Sequence, residues 1–424
     1  MNDKKKNNEF GLRPYGLLGR KLQHSFSPEL HKKIGDAMGI SYPYVLFEKE
    51  PEELETFLRS DEFAGLNVTI PYKEKVIPYL DKVSEEAASI GAVNTIVRRG
   101  DLLIGYNTDY TGFKRTLEKN DVCVSGSSCL VLGSGGASKA VQQVLKDMGA
   151  EKVDVVSRNG EHNYKNIHEH QDAEIVVNAT PVGMYPDTGR SLIYPGTFPN
   201  LKWVVDLIYN PLRTNLLCQA KRSLIEPISG LKMLVAQAAA SAELFTGEKV
   251  IEEVEEDIER YLSFKKSNIV LIGMPGAGKT TLGAMAALKL NREFYDIDDL
   301  IIEKEKKNIP EIFSENGEDY FRDVETEVIS GLSKVTGAVI SCGGGVINRE
   351  ENYYFLAENG HFIFINRDIS ALSVEGRPVS QAVPMERLYQ SRLPLYRSWC
   401  DDEIDITDMP LEEAVENLIY LAEA

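Results

Sequence analysis

Apolar and polar positions divide this chain into three stretches. Residues 11–113 mix short apolar runs with turn signals. From 126 to 229, compact apolar runs alternate with helical patterns, as strand–helix–strand units do. The strand-like runs begin at Ser128, Lys152, Ala173 and Lys202. An Ala-rich helix is predicted from Gly230. A charged amphipathic helix follows, in which Val250, Ile251, Val254, Ile258, Tyr261 and Leu262 keep a 3.6-residue period. The polar stretch from Lys265 to Asn268 ends it, and a new strand starts at Asn268. Further strand-like runs begin at Gly337 and His361, and no internal repeat is visible.

Composition adds boundaries. Of 424 residues, 43% are hydrophobic and 26% charged, which suits a folded chain and argues against wholesale disorder. No apolar run approaches the roughly 18 residues that span a bilayer. The first ten residues, MNDKKKNNEF, read as a disordered tail rather than a signal peptide or anchor. The net charge of -18 disfavours nucleic acid and acidic membranes as partners. Anionic substrates must therefore be met by local basic residues. Five cysteines without a CxxC spacing predict free thiols and a cytoplasmic chain. His168 and His170 lack partners at ligand spacing and read as a solvated loop.

Two glycine-rich turns carry the first chemistry. Gly273-Met-Pro-Gly276-Ala277-Gly278-Lys279-Thr280-Thr281 fits GxxxxGK[ST] between a strand and a helix. Backbone N–H groups of such a loop cradle phosphates. Lys279 would reach the β- and γ-phosphates, and Thr280 would ligate Mg²⁺ of an ATP complex. Asp296, after a strand, can share that Mg²⁺ shell. The second turn is Gly133-Ser134-Gly135-Gly136-Ala137-Ser138, within a strand–turn–helix context that predicts dinucleotide binding. The next strand ends in Ser157-Arg158 where an NAD site usually has an acid, so NADP(H) is the expected cofactor.

After the phosphate loop, five ordered motifs within 268–424 resemble shikimate kinase: Asp296-Ile-Asp298, Phe321-Arg322-Asp-Val-Glu325, Cys342-Gly-Gly344-Gly345, Gly376-Arg377-Pro378 and Arg392-Leu-Pro394-Leu-Tyr396. The resemblance implies that Asp298 orients and deprotonates the shikimate hydroxyl. Arg322 and Arg392 would hold the shikimate carboxylate. Gly344 would present backbone to the substrate ring, and Arg377 would close over the phosphates. Glu325 would hold Arg322. Only about ten residues separate the last strand from Arg377, shorter than the lid common in that family.

The first part, across roughly 13–262, resembles shikimate dehydrogenase. The matching motifs are His24-Ser25-Phe-Ser27-Pro28, Asn67-Val-Thr69-Ile-Pro71-Tyr-Lys73, Gly91-Ala-Val-Asn94-Thr95, Gly105-Tyr-Asn107-Thr108-Asp109, Asn178-Ala-Thr180-Pro181 and Gly230-Leu-Lys-Met233-Leu-Val-Ala-Gln237. Ketone reduction needs a proton at the forming alkoxide, and no zinc-ligand set is present to assist. The resemblance implies Lys73 as donor with Asp109 as its orienting partner. Ser25 and Ser27 would bind the substrate carboxylate. Thr69, Asn94, Asp109 and Gln237 would hold ring hydroxyls. Asn178, Thr180 and Gly230 would line the cofactor site, and Tyr209 and Met233 would wall the nicotinamide. His24 reads as a local structural hydrogen-bonder.

The expected fold class is α/β throughout. Residues 11–113 and 230–264 form the substrate-binding domain, 114–229 a Rossmann NADP-binding domain, and 268–424 a P-loop kinase domain with a parallel sheet. The expected activities are NADPH-dependent reduction of 3-dehydroshikimate and ATP-dependent phosphorylation of shikimate. The small-molecule substrates are 3-dehydroshikimate and shikimate, and homo-oligomerisation is left open. Two alternatives stand beside this: a quinate/shikimate dehydrogenase fused to the kinase, or one half as an inactive nucleotide-sensing module.

Overall fold

The computed structural model describes residues 13–22, 25–158, 160, 162–372 and 384–423. It contains three open sheets. The chain separates into two compact units. The first comprises residues 1–181, 192–209 and 219–259, and the second 182–191, 210–218 and 260–424.

The first unit holds two sheets. One runs in the order β2-β1-β3-β5-β6-β4, with β1 Tyr15–Gly19, β2 Tyr44–Glu48, β3 Gly65–Val68, β4 Lys82–Val83, β5 Thr95–Arg99 and β6 Leu102–Tyr106. It is mixed: β1 pairs in parallel with β2 and β3, whereas β5 runs antiparallel to β3 and β6. The second sheet is parallel and ordered β11-β10-β9-β7-β8. Its strands are β7 Ser128–Leu132, β8 Lys152–Val156, β9 Ile175–Asn178, β10 Trp203–Asp206 and β11 Glu226–Ile228. The sequence reverses direction beside β7, so the turn after β7 opens a crevice at the strands' carboxyl ends.

The Ala-rich helix Gly230–Thr246 packs against the first sheet: a Cβ at Gly65 in β3 would meet the Phe245 ring at 2.8 Å. Its small residues also permit close approach to the helix Thr108–Lys119, where a Cβ at Gly112 would meet Gln237 at 2.8 Å. The amphipathic helix forms as Glu252–Lys266 with Ile258 and Leu262 buried. Ile251 departs from the predicted stripe. It precedes the first helical turn and is 59% exposed. His170 also departs from the expected solvated loop: it is buried, and its Nδ1 lies 2.6 Å from Asp154 in β8. A neighbouring strand supplies the partner that local spacing could not reveal.

The second unit is built on a parallel sheet ordered β13-β14-β12-β15-β16. Its strands are β12 Asn268–Ile272, β13 Phe294–Asp296, β14 Val339–Ser341, β15 Gly360–Asn366 and β16 Asp402–Asp405. The central β12 is buried along its whole length and apolar from Ile269 to Ile272, as burial on both faces requires. The switch in strand order lies at its end, where the phosphate loop begins. Among the described residues, no helix is long and apolar enough to cross a membrane.

Candidate active sites

In the first unit, Lys73 and Asp109 are brought together across 36 residues. The Lys73 ammonium donates to Asp109 Oδ2 at 2.5 Å, and both side chains are largely shielded, at 23% and 15% exposure. Each has a fixed mount. The Lys73 carbonyl accepts from Val93 N at 2.8 Å. Asp109 sits in the first turn of helix Thr108–Lys119, where Asn107 caps by accepting from Tyr110 N. The Asn94 side-chain oxygen accepts from Thr108 N at 2.6 Å and from Thr108 Oγ1 at 3.1 Å. Asn94 thus anchors the turn that carries Asp109.

A buried polar network backs this turn. Ser241 Oγ lies 3.0 Å from Thr108 Oγ1 and 3.2 Å from Thr95 Oγ1, and it accepts from Asn67 Nδ2 at 2.7 Å. Tyr44 donates to Asn67 Oδ1 at 2.7 Å. His31 stacks on Tyr44 with ring centroids 4.1 Å apart, and its Nδ1 lies 3.0 Å from Tyr42 Oη. Burial pushes the His31 pKa down to about 3 against an opposing hydrogen bond from Asn67. The ring is therefore neutral in the folded protein. Burial likewise pushes the Tyr44 hydroxyl well up, with Ser27 as a hydrogen-bond neighbour.

Ser25 and Ser27 lie side by side: Ser25 Oγ donates to Ser27 Oγ at 3.2 Å and accepts from Ser27 N at 3.2 Å. Thr69 is half-buried, and its backbone N donates to Leu18 at the end of β1. Gln237 Nε2 donates to the Leu234 carbonyl at 2.9 Å. Tyr209 meets Phe26 edge-on at 6.1 Å, and burial raises its hydroxyl pKa. Met233 is placed in the core of the second sheet with Val131, Val177 and Val205. His24 lies outside the described residues.

The turn after β7 has room for a ligand. Ser134, Gly135 and Gly136 are exposed, Ala137 is half-buried, and a Cβ at Gly135 or Gly136 would meet nothing within 4 Å. Gly135 caps the helix Gly136–Asp147, so free backbone donors face this space. Gly133 is forced: its φ is +103°, and a Cβ would meet Thr180 Cγ2 at 2.8 Å. Ser138, which stands where the fingerprint has its third glycine, is buried and donates to the Gly133 carbonyl at 2.6 Å. Asn178 Oδ1 accepts from Thr180 N and Oγ1, and Asn178 Nδ2 donates to the buried Asp206. Gly230 approaches the carbonyls of Leu207 and Ile208 too closely for any side chain. Ser157 is half-buried and Arg158 exposed at the end of β8, which suits an anionic group on a ribose. The open glycine turn, the helix terminus and the arginine together fit a phosphorylated dinucleotide.

In the second unit, Gly273, Gly276 and Gly278 all have positive φ, at 146°, 83° and 98°. Ala277 is buried beneath the loop, and Thr281 is exposed on the following helix Lys279–Leu290. Lys279 is buried, and its Nζ donates to the carbonyls of Gly273 and Met274. Thr280 Oγ1 donates to Asp296 Oδ2 at 2.8 Å, so a hydroxyl and a carboxylate sit together beside the loop. Such hard oxygen donors fit Mg²⁺. Asp296 also caps the next helix by accepting from Asp298 N.

Asp298 and Glu325 face the same glycine: a Cβ at Gly343 would meet Asp298 Oδ1 at 2.9 Å and Glu325 Oε1 at 3.2 Å. Glu325 is fully buried and accepts from Arg322 Nη1 at 2.7 Å. Burial raises its pKa, opposed by Arg322 and reinforced by Asp298. Arg392 is buried as a second cation facing Glu325. Gly344 is held by Pro275 of the phosphate loop, whose Cδ lies 2.5 Å from where a Cβ would be. Tyr396, part of the Arg392 motif but given no role from the sequence, donates to the Gly344 carbonyl at 2.5 Å. Gly345, also unpredicted as a contact, supports Arg322: a Cβ there would lie 2.5 Å from Arg322 Cζ. Arg377 lies outside the described residues. Among the described residues no group of three or more His, Cys, Asp or Glu side chains could hold a metal by itself.

These two sites define a dinucleotide-binding fold and a P-loop phosphate-binding fold on one chain. Residues 17–96 match the family model for the shikimate dehydrogenase substrate binding domain, and residues 275–422 match that for shikimate kinase. The shikimate dehydrogenase (NADP(+)) of Clostridium perfringens is 38% identical over 263 residues, 58% of this chain and 97% of that protein. A chorismate mutase/shikimate 5-dehydrogenase fusion protein from Clostridium acetobutylicum aligns at 39% identity with TM-score 0.57, over 60% of this chain and 98% of that one. The shikimate 5-dehydrogenase of Thermus thermophilus, solved with NADP(H) and shikimate, aligns at 33% identity with TM-score 0.53, over 58% and 98%. The chain belongs to the shikimate dehydrogenase family and carries a shikimate kinase domain after that part. It is a two-activity enzyme of the shikimate pathway.

Proposed function

We propose that the first part reduces 3-dehydroshikimate to shikimate with NADPH, and that the second converts shikimate to shikimate 3-phosphate with ATP and Mg²⁺. When bound, NADPH supplies the hydride and MgATP the phosphoryl group. The chain's own residues do the rest. Lys73 delivers a proton to the oxygen that becomes the hydroxyl, and Asp109 holds the ammonium in line. Ser25 and Ser27 take the carboxylate through paired hydroxyls, while Thr69, Asn94 and Gln237 position the ring. Ser157 and Arg158 favour a 2′-phosphate, hence NADP(H) over NAD. Tyr209 and Gly230 border the cofactor, with Met233 packed beneath.

In the second part, Arg322 and Arg392 take the carboxylate of shikimate, as guanidinium forks do. Asp298 accepts the hydroxyl proton as the phosphoryl group arrives. Thr280 and Asp296 hold Mg²⁺, and Lys279 and Arg377 offset charge on the phosphates. The domain limits proposed are those drawn from the sequence, with the helix from Gly230 returning to the first sheet. A cytoplasmic location belongs to the same proposal.

The observation that supports this reading most directly is the shielded Lys73–Asp109 contact at 2.5 Å. The test is one incubation of the protein with 3-dehydroshikimate, NADPH, ATP and Mg²⁺, followed by mass spectrometry. Shikimate phosphate is the expected product, with free shikimate when ATP is omitted and little turnover when NADH replaces NADPH. Shikimate that accumulates in the full mixture would refute the kinase half.

A further inference from the structure

The Arg322 guanidinium is already engaged by two carboxylates in the second unit. Its Nη1 donates to the buried Glu325 at 2.7 Å. Its other edge, Nε and Nη2, donates to a single oxygen of Glu318 at 3.4 and 3.2 Å. The two carboxylates differ in standing. Glu325 is fully buried, whereas the Glu318 side chain is 47% exposed and makes two long bonds through one oxygen. One side of the guanidinium is also closed, because Gly345 packs against it too tightly to admit a Cβ.

The chain places Glu318 there deliberately. The helical stretch Ile309–Leu332 breaks at Gly317, whose φ of 84° and ψ of 176° are open to glycine and strained for other residues. Glu318 begins the turn after this break and so faces Arg322 four residues on. An incoming carboxylate needs the paired N–H groups of that same outer edge for a two-bond contact.

We propose that Glu318 is a stand-in for the substrate carboxylate, occupying the outer edge of Arg322 until an anionic substrate displaces it. This rests on the kinase reading above, in which Arg322 receives the shikimate carboxylate. Glu318 then sets substrate affinity without entering the transfer step. It keeps Arg322 neutralised and aimed when the site is empty, and each substrate molecule must compete with it. An exposed carboxylate on a long contact is a weak competitor, so the effect is a tuning of affinity.

The experiment measures shikimate phosphorylation by the full chain with Glu318→Gln, using Asp319→Asn as a control for general loss of negative charge. Glu318→Gln is expected to lower KM for shikimate by about 2- to 5-fold, the equivalent of a weak exposed ion pair. The values of kcat and of KM for ATP should stay unchanged. Glu318→Asp, with a shorter reach, should lower KM by less. The carboxamide of shikimate, which carries no charge to compete, should show no gain with any variant. An unchanged or raised KM in both Glu318 variants overturns the proposal, as does an equal gain from Asp319→Asn. Failure of the wild-type chain to phosphorylate shikimate at all would instead overturn the kinase reading, and this inference with it.

Discussion

Asn67 and Ser241 are 174 residues apart and meet at 2.7 Å inside the first unit. This contact ties β3 to the Ala-rich helix from Gly230. Through Thr108 it also steadies the turn that bears Asp109. Asp109, the partner of Lys73, is therefore mounted on a buried polar frame, and losing one member would leave another unsatisfied.

If Lys73 and Asp109 act as one unit, their losses must not multiply. Lys73→Met should lower kcat for dehydroshikimate reduction by about 10²- to 10⁴-fold. Asp109→Asn should cost a comparable factor, and the double variant should fall little below the worse single one. Steady-state kinetics of the three variants checks this. Losses that multiply fully would mean that the two side chains act separately.

Gly345→Ala should strike Arg322 rather than the backbone. Its φ of −105° suits any residue, but the new Cβ overlaps the guanidinium. Losing hydrogen bonds to a charged group is worth about 1.5–3 kcal/mol, so KM for shikimate should rise about 10- to 100-fold. KM for ATP should hold, because the phosphate loop is untouched. A rise in both constants would point to general disruption of the Gly343–Gly345 turn.

His31 predicts a pH effect on stability. Folded, its pKa is pushed down to about 3, and an unfolded histidine titrates near 6.5. The unfolded chain thus gains a proton first as pH falls. The His31 contribution is complete above about 6.5 and drains away between about 6.5 and 3, with a slope of at most about 1.4 kcal/mol per pH unit. Hydrogen exchange of the amides in Tyr15–Gly19, corrected for intrinsic rates, should lose protection between pH 7 and 5. His31→Gln should weaken protection at pH 7 yet flatten that slope. An equal slope in the variant would assign the acid sensitivity to other groups.

Some of this was legible in the sequence, for a physical reason. The strands from Ser128, Lys152, Asn268 and His361 are short, apolar and bounded by turn residues, so pattern alone located them. Both glycine turns declared themselves because their chemistry is local: Gly133 and Gly273 need positive φ within a few residues of a helix start. What stayed hidden depends on tertiary neighbours. Ser241 looks like one more small residue in an Ala-rich helix, yet it joins polar groups of two strands and a second helix: Asn67, Thr95 and Thr108. Gly345 looks like turn filler and instead supports Arg322. Ile251 kept the helical period but fell just outside the helix, since a period cannot mark its own first turn.

The central claim is that one chain carries two separate activities sharing one metabolite. Site-specific variants test it most directly, in a mixture of 3-dehydroshikimate, NADPH, ATP and Mg²⁺ followed by mass spectrometry. Asp298→Asn should make shikimate at the wild-type rate and accumulate it without phosphate. Lys73→Met should form almost no shikimate from 3-dehydroshikimate, yet phosphorylate added shikimate normally. If Lys73→Met also abolishes phosphorylation of added shikimate, or Asp298→Asn still yields the phosphate at full rate, the assignment of the two sites is wrong.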